Sequence, residues 1–384
     1  MQNNNINKYI NKKLKEIEEN NQFRTIKEVE RKPNNKVLLN KREVISFSCN
    51  DYLNLSFNNQ VIKAAKSATE THGVGAGASR LITGNSKLYS ILENKIKNLK
   101  KTSACCVFGS GFLANIGVVS ALMNKNDLIF IDELSHASSF LGAKLSQSKV
   151  IKFVHNDITD LEKKIKAHRE NYEKCMILSE GVFSMDGDIS PQDKISKIKQ
   201  KYSAYFMLDD AHGLGVLGDG SGSNSIFKKN KPEIDIYLGT LSKAIGAYGG
   251  FICGKKNLIK FIINRCRSQI YTTGLPPSVL AACIKSLDII NKNKALVKKP
   301  LTNAIYFSNL LGLKTPQSPI VPIILGEEQR TLRLSEFLLK RGYLVGSIRP
   351  PTVPKNTSRL RIAFNAFHTK TQIKELASLI KSNI

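Results

Sequence analysis

Between residues 103 and 254 the chain alternates short β-rich runs with helical stretches: SACCVFG then FLANIGVVSALM, LIFIDE then SHASSFLGAKL, VIKFVHN then DITDLEKKIKAH, followed by KCMILSE, YSAYFMLDD, IDIYLGT and GGFICG. A parallel strand can be reached from its neighbour only through a crossover long enough to hold a helix, so this rhythm predicts a mostly parallel sheet covered by helices. From about residue 290 the pattern changes. SPIVPIIL, YLVGSI and RLRIAFN are strand-like, and QRTLRLSEFLLKRG and TKTQIKELASLIKS are helical, which predicts a smaller α+β unit. The expected organisation is an N-terminal helical arm over 1–45, a large α/β domain over 46–290 and a small α+β domain over 291–384. A chain of 384 residues is long enough to bury such a core.

Composition narrows the class. No apolar run reaches the roughly 18 residues of a membrane span, and the polar start MQNNNINKYINKKLKEIEEN lacks a secretory h-region. Glu16, Glu18 and Glu19 argue against a transit peptide, so the expectation is a cytoplasmic protein with no membrane partner. The seven cysteines form no CxxC pair, and Cys105-Cys106 sit in an apolar run, as reduced core thiols do; no metal site is expected. The formal charge of +27 has two accounts. Lysine spread through NKNKALVKK, IFKKNKPE and LEKKIKAH beside abundant Asn and Ile suits an AT-rich coding bias, whereas a functional account requires an acidic partner. Nucleic acid is not expected.

Ligands of open α/β sheets sit at the carboxyl ends of the strands. Those ends carry Gly109-Ser110-Gly111, His136, Glu180 to Ser184, Asp209-Asp210-Ala211-His212, and Lys243 in IYLGTLSKAIGAYGG. Gly109-Ser110-Gly111-Phe112-Leu113-Ala114 matches GxGxxA, with Asp132 about 20 residues on, so a dinucleotide fingerprint is one reading. The same turn at a helix N-terminus would hold any phosphate. The nicotinamide reading leaves Lys243 and the DDAH run unexplained. A lysine and an aspartate closing apolar strands are costly unless they have chemical partners. Pyridoxal phosphate (PLP) needs an amine for its aldehyde, a carboxylate for its pyridine nitrogen, a phosphate cradle and a flat group over its ring. Lys243, Asp209, Gly111-Phe112 with Thr240, and His136 supply these in turn, with His212 left for the phenolate oxygen.

The stretches SCNDYLNLS, GVGAGASRLITGN, FGSGFLANIG, DELSHAS, EGVFSMDGD, LDDAHGLGVLG, LGTLSKAIGAYGG, YTTGLPP and RPPTVPKNTSRLRIAF resemble, in order, the α-oxoamine synthases among the fold-type I PLP enzymes. The resemblance covers nearly the whole chain. It implies an aminotransferase-like fold with a seven-stranded large sheet, a homodimer with shared active sites, and PLP as cofactor. It implies Lys243, His136 and Asp209 as the catalytic set, with His212 and Ser184 on the phenolate side. Gly111, Phe112 and Thr240 would hold the phosphate, with Thr272 or Thr273 reaching it from a second subunit. Arg24, His136, Arg349, Thr352 and Arg361 match substrate positions, and Arg361 is the expected carboxylate fork. The implied reaction is decarboxylative condensation of an amino acid with an acyl thioester. RPPTVP followed by SRLRI points to L-alanine and a pimeloyl thioester, on coenzyme A or an acidic acyl carrier protein; glycine-using members of the family are the alternative. The chain departs from relatives at Tyr89, where histidine is frequent, at Leu214 in DDAHGLG, and in the turn GDGSGSNS.

Overall fold

Alternation within each strand decides what faces what. In the computed structural model, which describes residues 6–20 and 22–384, the chain begins with α1 (Ile6–Glu19), β1 (Glu30–Arg31), β2 (Lys36–Leu39), β3 (Arg42–Ser46), α2 (Asn59–His72) and α3 (Lys87–Lys100). The central part runs β4 (Ala104–Phe108), α4 (Gly111–Leu122), β5 (Leu128–Asp132), α5 (Ala137–Leu145), β6 (Lys149–Phe153), α6 (Ile158–His168), β7 (Cys175–Glu180), α7 (Gln192–Lys201), β8 (Tyr205–Asp209), β9 (Ile236–Thr240) and β10 (Gly250–Gly254). It ends with α8 (Lys256–Arg265), α9 (Arg267–Ile270), α10 (Pro277–Lys292), α11 (Lys294–Leu311), β11 (Ile320–Gly326), α12 (Glu328–Lys340), β12 (Tyr343–Leu344), β13 (Gly346–Ile348), β14 (Ser358–Ala363) and α13 (Lys370–Lys381).

The fold is the expected α/β arrangement, a mostly parallel sheet with helices packed on it. Its main sheet has seven strands in the order β4-β10-β9-β8-β7-β5-β6. Strands β9, β8, β7, β5 and β6 pair in parallel, while β10 runs antiparallel to both neighbours. Cys105 and Val107, Leu128 and Phe130, Cys175 and Ile177, and Phe206 and Leu208 fill one face. Cys106 and Phe108, Ile129 and Ile131, Met176 and Leu178, Met207, and Ile236 and Leu238 fill the other, against Ala114, Val118 and Val119 of α4. Continuing the alternation by one step places Glu180, Asp209 and Thr240 on the α4 face, whereas Asp132 falls on the opposite face. The parallel register sets Glu180 beside Asp209, and Asp209 beside Leu238.

Of the helical arm expected over 1–45, Ile6–Glu19 is helical, but residues 30–46 contain three strands. Val37, Leu39 and Val44 alternate with exposed or half-buried residues and bury themselves against Leu339 and Leu344, which gives that segment a β period rather than a helical one. β3 then pairs in parallel with β12, joining this segment to the C-terminal unit in a four-stranded sheet. β11, β14 and β13 form a separate three-stranded sheet whose core contains Leu360, Ile362 and Phe364. No helix among the described residues is long and apolar enough to cross a membrane.

Candidate active site

Strand parity and two turns bring the polar groups together. A cavity of about 230 Å³ is lined by Ser110, Gly111, Phe112, His136, Ser138, Glu180, Ser184, Asp209, Ala211, His212, Thr240, Ser242 and Lys243, with Leu238 as floor. Gly111, Phe112, His136, Ser184, Asp209, His212, Thr240 and Lys243, all read from the sequence, therefore share one space.

The anion end is built by a close approach. Gly250, opposite Thr240 and Phe108 in the sheet, lies under the first turn of α4, and a Cβ there would stand 2.5 Å from Gly111 N and Ser110 C. Only glycine lets the backbones pass so closely. Ser110 caps α4, its hydroxyl accepting from Leu113 N at 3.1 Å and its carbonyl from Ala114 N at 3.0 Å. That leaves the Gly111 and Phe112 amides at the open end of the helix, where the dipole favours an anion. Thr240 Oγ1 donates to Gly249 O at 3.0 Å and accepts from Ser242 N at 3.2 Å, which fixes the turn leading to Lys243.

The amine end is a hydrogen-bonded chain. Lys243 Nζ lies 2.6 Å from His212 Nε2, and His212 Nδ1 lies 2.7 Å from the hydroxyl of Tyr52, which is fully buried. Burial pushes the Lys243 amine down to about 8; Asp209 and Glu180 oppose the shift and Arg361 adds to it. Burial, followed by the Lys243 charge, holds His212 well below the usual histidine range, so the ring is neutral. The Asp209 carboxylate accepts from Asn115 Nδ2 at 2.8 Å and Ala211 N at 3.1 Å, yet burial still raises its pKa against the pull of Lys243 and His136. Glu180 Oε1 accepts from His136 N at 2.5 Å, and burial beside Asp209 raises its carboxyl well above the usual range.

Behind Asp209, the next residue is anchored independently. Lys100 Nζ reaches buried Asp210 Oδ2 at 3.1 Å and Asn224 Oδ1 at 2.9 Å, and the half-buried Ser221 O at 2.7 Å. Asp210 also accepts from Ser223 N, and Gly222, at φ +109°, wraps so tightly that a Cβ there would overlap the carboxylate. The GDGSGSNS turn is thus a collar around Asp210.

The substrate positions divide. Arg361 Nε donates to Ser184 O at 2.5 Å, and its charge acts on Lys243, His212 and Tyr52, but it is not among the residues lining the first cavity. A neighbouring cavity of about 550 Å³ shares His136 and Ser184 with the first and is otherwise lined by groups that include Arg24, Phe140, Thr352 and Val353. A third, of about 180 Å³, contains Arg24, Arg349 and Thr352, where Arg24 Nη2 donates to Thr352 Oγ1 at 3.3 Å. Thr273 is not among the residues lining the first cavity; it is exposed and bridges to Ser79. Its loop is held by Tyr89, whose hydroxyl accepts from Leu275 N at 2.5 Å while Arg80 stacks on its ring at 3.9 Å. Asp132 is occupied on the far face by His155 Nδ1 at 3.0 Å, Leu134 N at 2.9 Å and Asn156 N at 2.9 Å, so the dinucleotide reading has no ribose carboxylate.

Tyr52, Asn115 and Ser138 received no role from the sequence. Asn115 carried a signal, being the one amide inside the apolar run FLANIGVV. Tyr52 and Ser138 carried none without the tertiary contacts.

Residues 42–380 match the model of the aminotransferase class I and II family. The chain is 45% identical over 377 residues to an 8-amino-7-oxononanoate synthase of Beijerinckia indica subsp. indica, a match covering 98% of this chain and 97% of that one. A variant serine palmitoyltransferase from S. paucimobilis with bound PLP-myriocin superposes with a TM-score of 0.90 at 27% identity, covering 97% and 96% of the two chains. An 8-amino-7-oxononanoate synthase from Francisella tularensis superposes with a TM-score of 0.75 at 29% identity, covering 88% and 97%.

Proposed function

The chain belongs to the aminotransferase class I and II family, and on that premise we propose that it is a PLP-dependent acyltransferase of biotin biosynthesis, joining L-alanine to a pimeloyl thioester with release of CO2, free thiol and 8-amino-7-oxononanoate. The observation that carries this reading is the likeness, over 98% of the chain, to a synthase of that product, together with one cavity holding Lys243, Asp209 and the open end of α4.

The residues present fit PLP. A buried carboxylate with a raised pKa lacks a full counter-charge, which a pyridinium supplies. The helix end and Thr240 suit the phosphate, and Lys243, with its pKa near 8, has a neutral fraction far above that of an ordinary lysine. When bound, PLP supplies an aldehyde that takes up amines and a protonated ring that accepts the electrons of the bond broken at Cα.

Lys243 would hold the aldehyde of the cofactor. Its Nζ would take the Cα proton of alanine and later return one to the product, work suited to a base whose affinity burial has brought near operating pH. Asp209 would keep the proton on the pyridine nitrogen. His212, held by Tyr52, and Ser184 would hold the phenolate side of the cofactor, and His136 would stack on its ring. Arg361, pinned by Ser184 O, presents its remaining donors to the alanine carboxylate. The acyl donor enters through the cavity lined by Arg24 and Thr352, with Arg349 close by. Thr273 would act in trans, reaching the phosphate from a homodimer partner. The enzyme works in the cytoplasm.

The test is turnover by the purified chain with alanine, glycine or serine against pimeloyl or palmitoyl thioesters. Product 8-amino-7-oxononanoate from alanine and pimeloyl thioester, at kcat/KM at least about tenfold above every other pair, is expected. Preference for glycine or for serine with palmitoyl thioester would reassign the substrate.

A further inference from the structure

Asn115, Ser138 and His136 make a relay whose proton positions follow from the groups themselves. His136 is the N-cap of α5, and its Nδ1 accepts from Ser138 N at 3.2 Å. A backbone amide can only donate, so Nδ1 carries a lone pair. The same Nδ1 lies 2.6 Å from Ser138 Oγ, which must then donate its hydroxyl proton to it. Ser138 Oγ is free to do so because it accepts from Asn115 Nδ2 at 3.0 Å. The Asn115 amide cannot turn over: Nδ2 also serves the Asp209 carboxylate at 2.8 Å, and Oδ1 accepts from Ser139 Oγ at 3.2 Å. Asn115 and Ser138 are 1% exposed, so no water substitutes for either.

We propose that Asn115 and Ser138 are positioning residues that lock His136 as the neutral Nε2–H tautomer, so that the ring presents a hydrogen-bond donor where the two cavities meet. The groups on each side of the ring are consistent with a neutral state. It sits at the positive end of α5 and faces Lys243, while Asp209 pulls the other way; the Glu180 carboxyl is engaged with the His136 backbone amide, and Arg24, Glu133 and Asp186 line the outer cavity. Burial outweighs Asp209 and lowers the His136 pKa. The consequence for turnover rests on the function proposed above; the tautomer does not, and it is read without turnover.

The experiment is nitrogen NMR of the PLP-loaded chain carrying 15N-histidine, with His136 assigned by its absence from H136Q. Wild type should show an unprotonated Nδ1 and a protonated Nε2 across neutral pH. Both donors to Nδ1 favour the neutral ring, so in Ser138→Ala the His136 pKa should rise by about half a unit to one unit, the weight of one hydrogen bond. The acid limb of the kcat/KM profile should move with it. Ser138→Thr should restore the wild-type value, and Asn115→Ala should shift it upward less than Ser138→Ala does. A protonated Nδ1 in wild type, or an S138A pKa equal to wild type, would overturn the proposal. A locked tautomer in a chain that makes no 8-amino-7-oxononanoate would instead leave it standing and remove the function.

Discussion

Lys243 is expected to capture PLP with a pH dependence that ordinary lysines cannot give. The amine is depressed from 10.5 to about 8, which at 1.36 kcal/mol per unit is about 3 kcal/mol against its charged form. At pH 8 about half of the chains therefore carry a neutral Lys243, against about 0.3% for an unperturbed lysine, an advantage of roughly 150-fold. Since the pKa is lowered, the reactive form is lost as pH falls below about 8 and is nearly complete above it. Stopped-flow absorbance of PLP added to the cofactor-free chain should show an uptake rate rising about tenfold per unit below that midpoint and levelling above it. The neighbours set opposite directions. Asp209 favours the ammonium, so Asp209→Asn should move the midpoint down; Arg361 disfavours it, so Arg361→Gln should move it up. A midpoint near 10.5, or an upward move in Asp209→Asn, would refute the electrostatic argument.

Gly250→Ala places a methyl 2.5 Å from the backbone of Ser110 and Gly111, so the first turn of α4 must shift; PLP affinity, followed by fluorescence titration, should weaken by at least about tenfold. Tyr52→Phe removes the partner of buried His212 Nδ1, at a cost of about 1–3 kcal/mol, and should lower Tm by about 1–4 °C together with kcat. If the charge of +27 serves an acidic carrier protein, kcat/KM for pimeloyl carrier protein should fall more steeply with salt than for pimeloyl-coenzyme A, as the Debye length shrinks to about 8 Å at physiological ionic strength. Equal slopes would assign the charge to coding bias.

The sheet and the lysine were legible because periodicity and strand ends are local properties. Asp209 and Lys243 each close an apolar run, and a charge at that place announces a ligand. The strands over residues 30–46 were not legible, since their alternation is short and their cover comes from Leu339 and Leu344, about 300 residues away. Side-chain partners across the fold were equally hidden. Tyr52 meets His212 at a separation of 160 residues, and nothing in SCNDYLNLS distinguishes that hydroxyl from any other. Asp132 shows the converse: its spacing from the glycine turn fitted a dinucleotide site, and one step of strand parity turned it to the other face.

The most direct test is to treat the PLP-loaded chain with borohydride, digest it and locate the reduced pyridoxyl group by mass spectrometry. A single modified lysine, Lys243, is expected, with no modification and no turnover in a Lys243→Ala chain that still folds. A pyridoxyl group on any other lysine of the native chain, or undiminished turnover by Lys243→Ala, would contradict it.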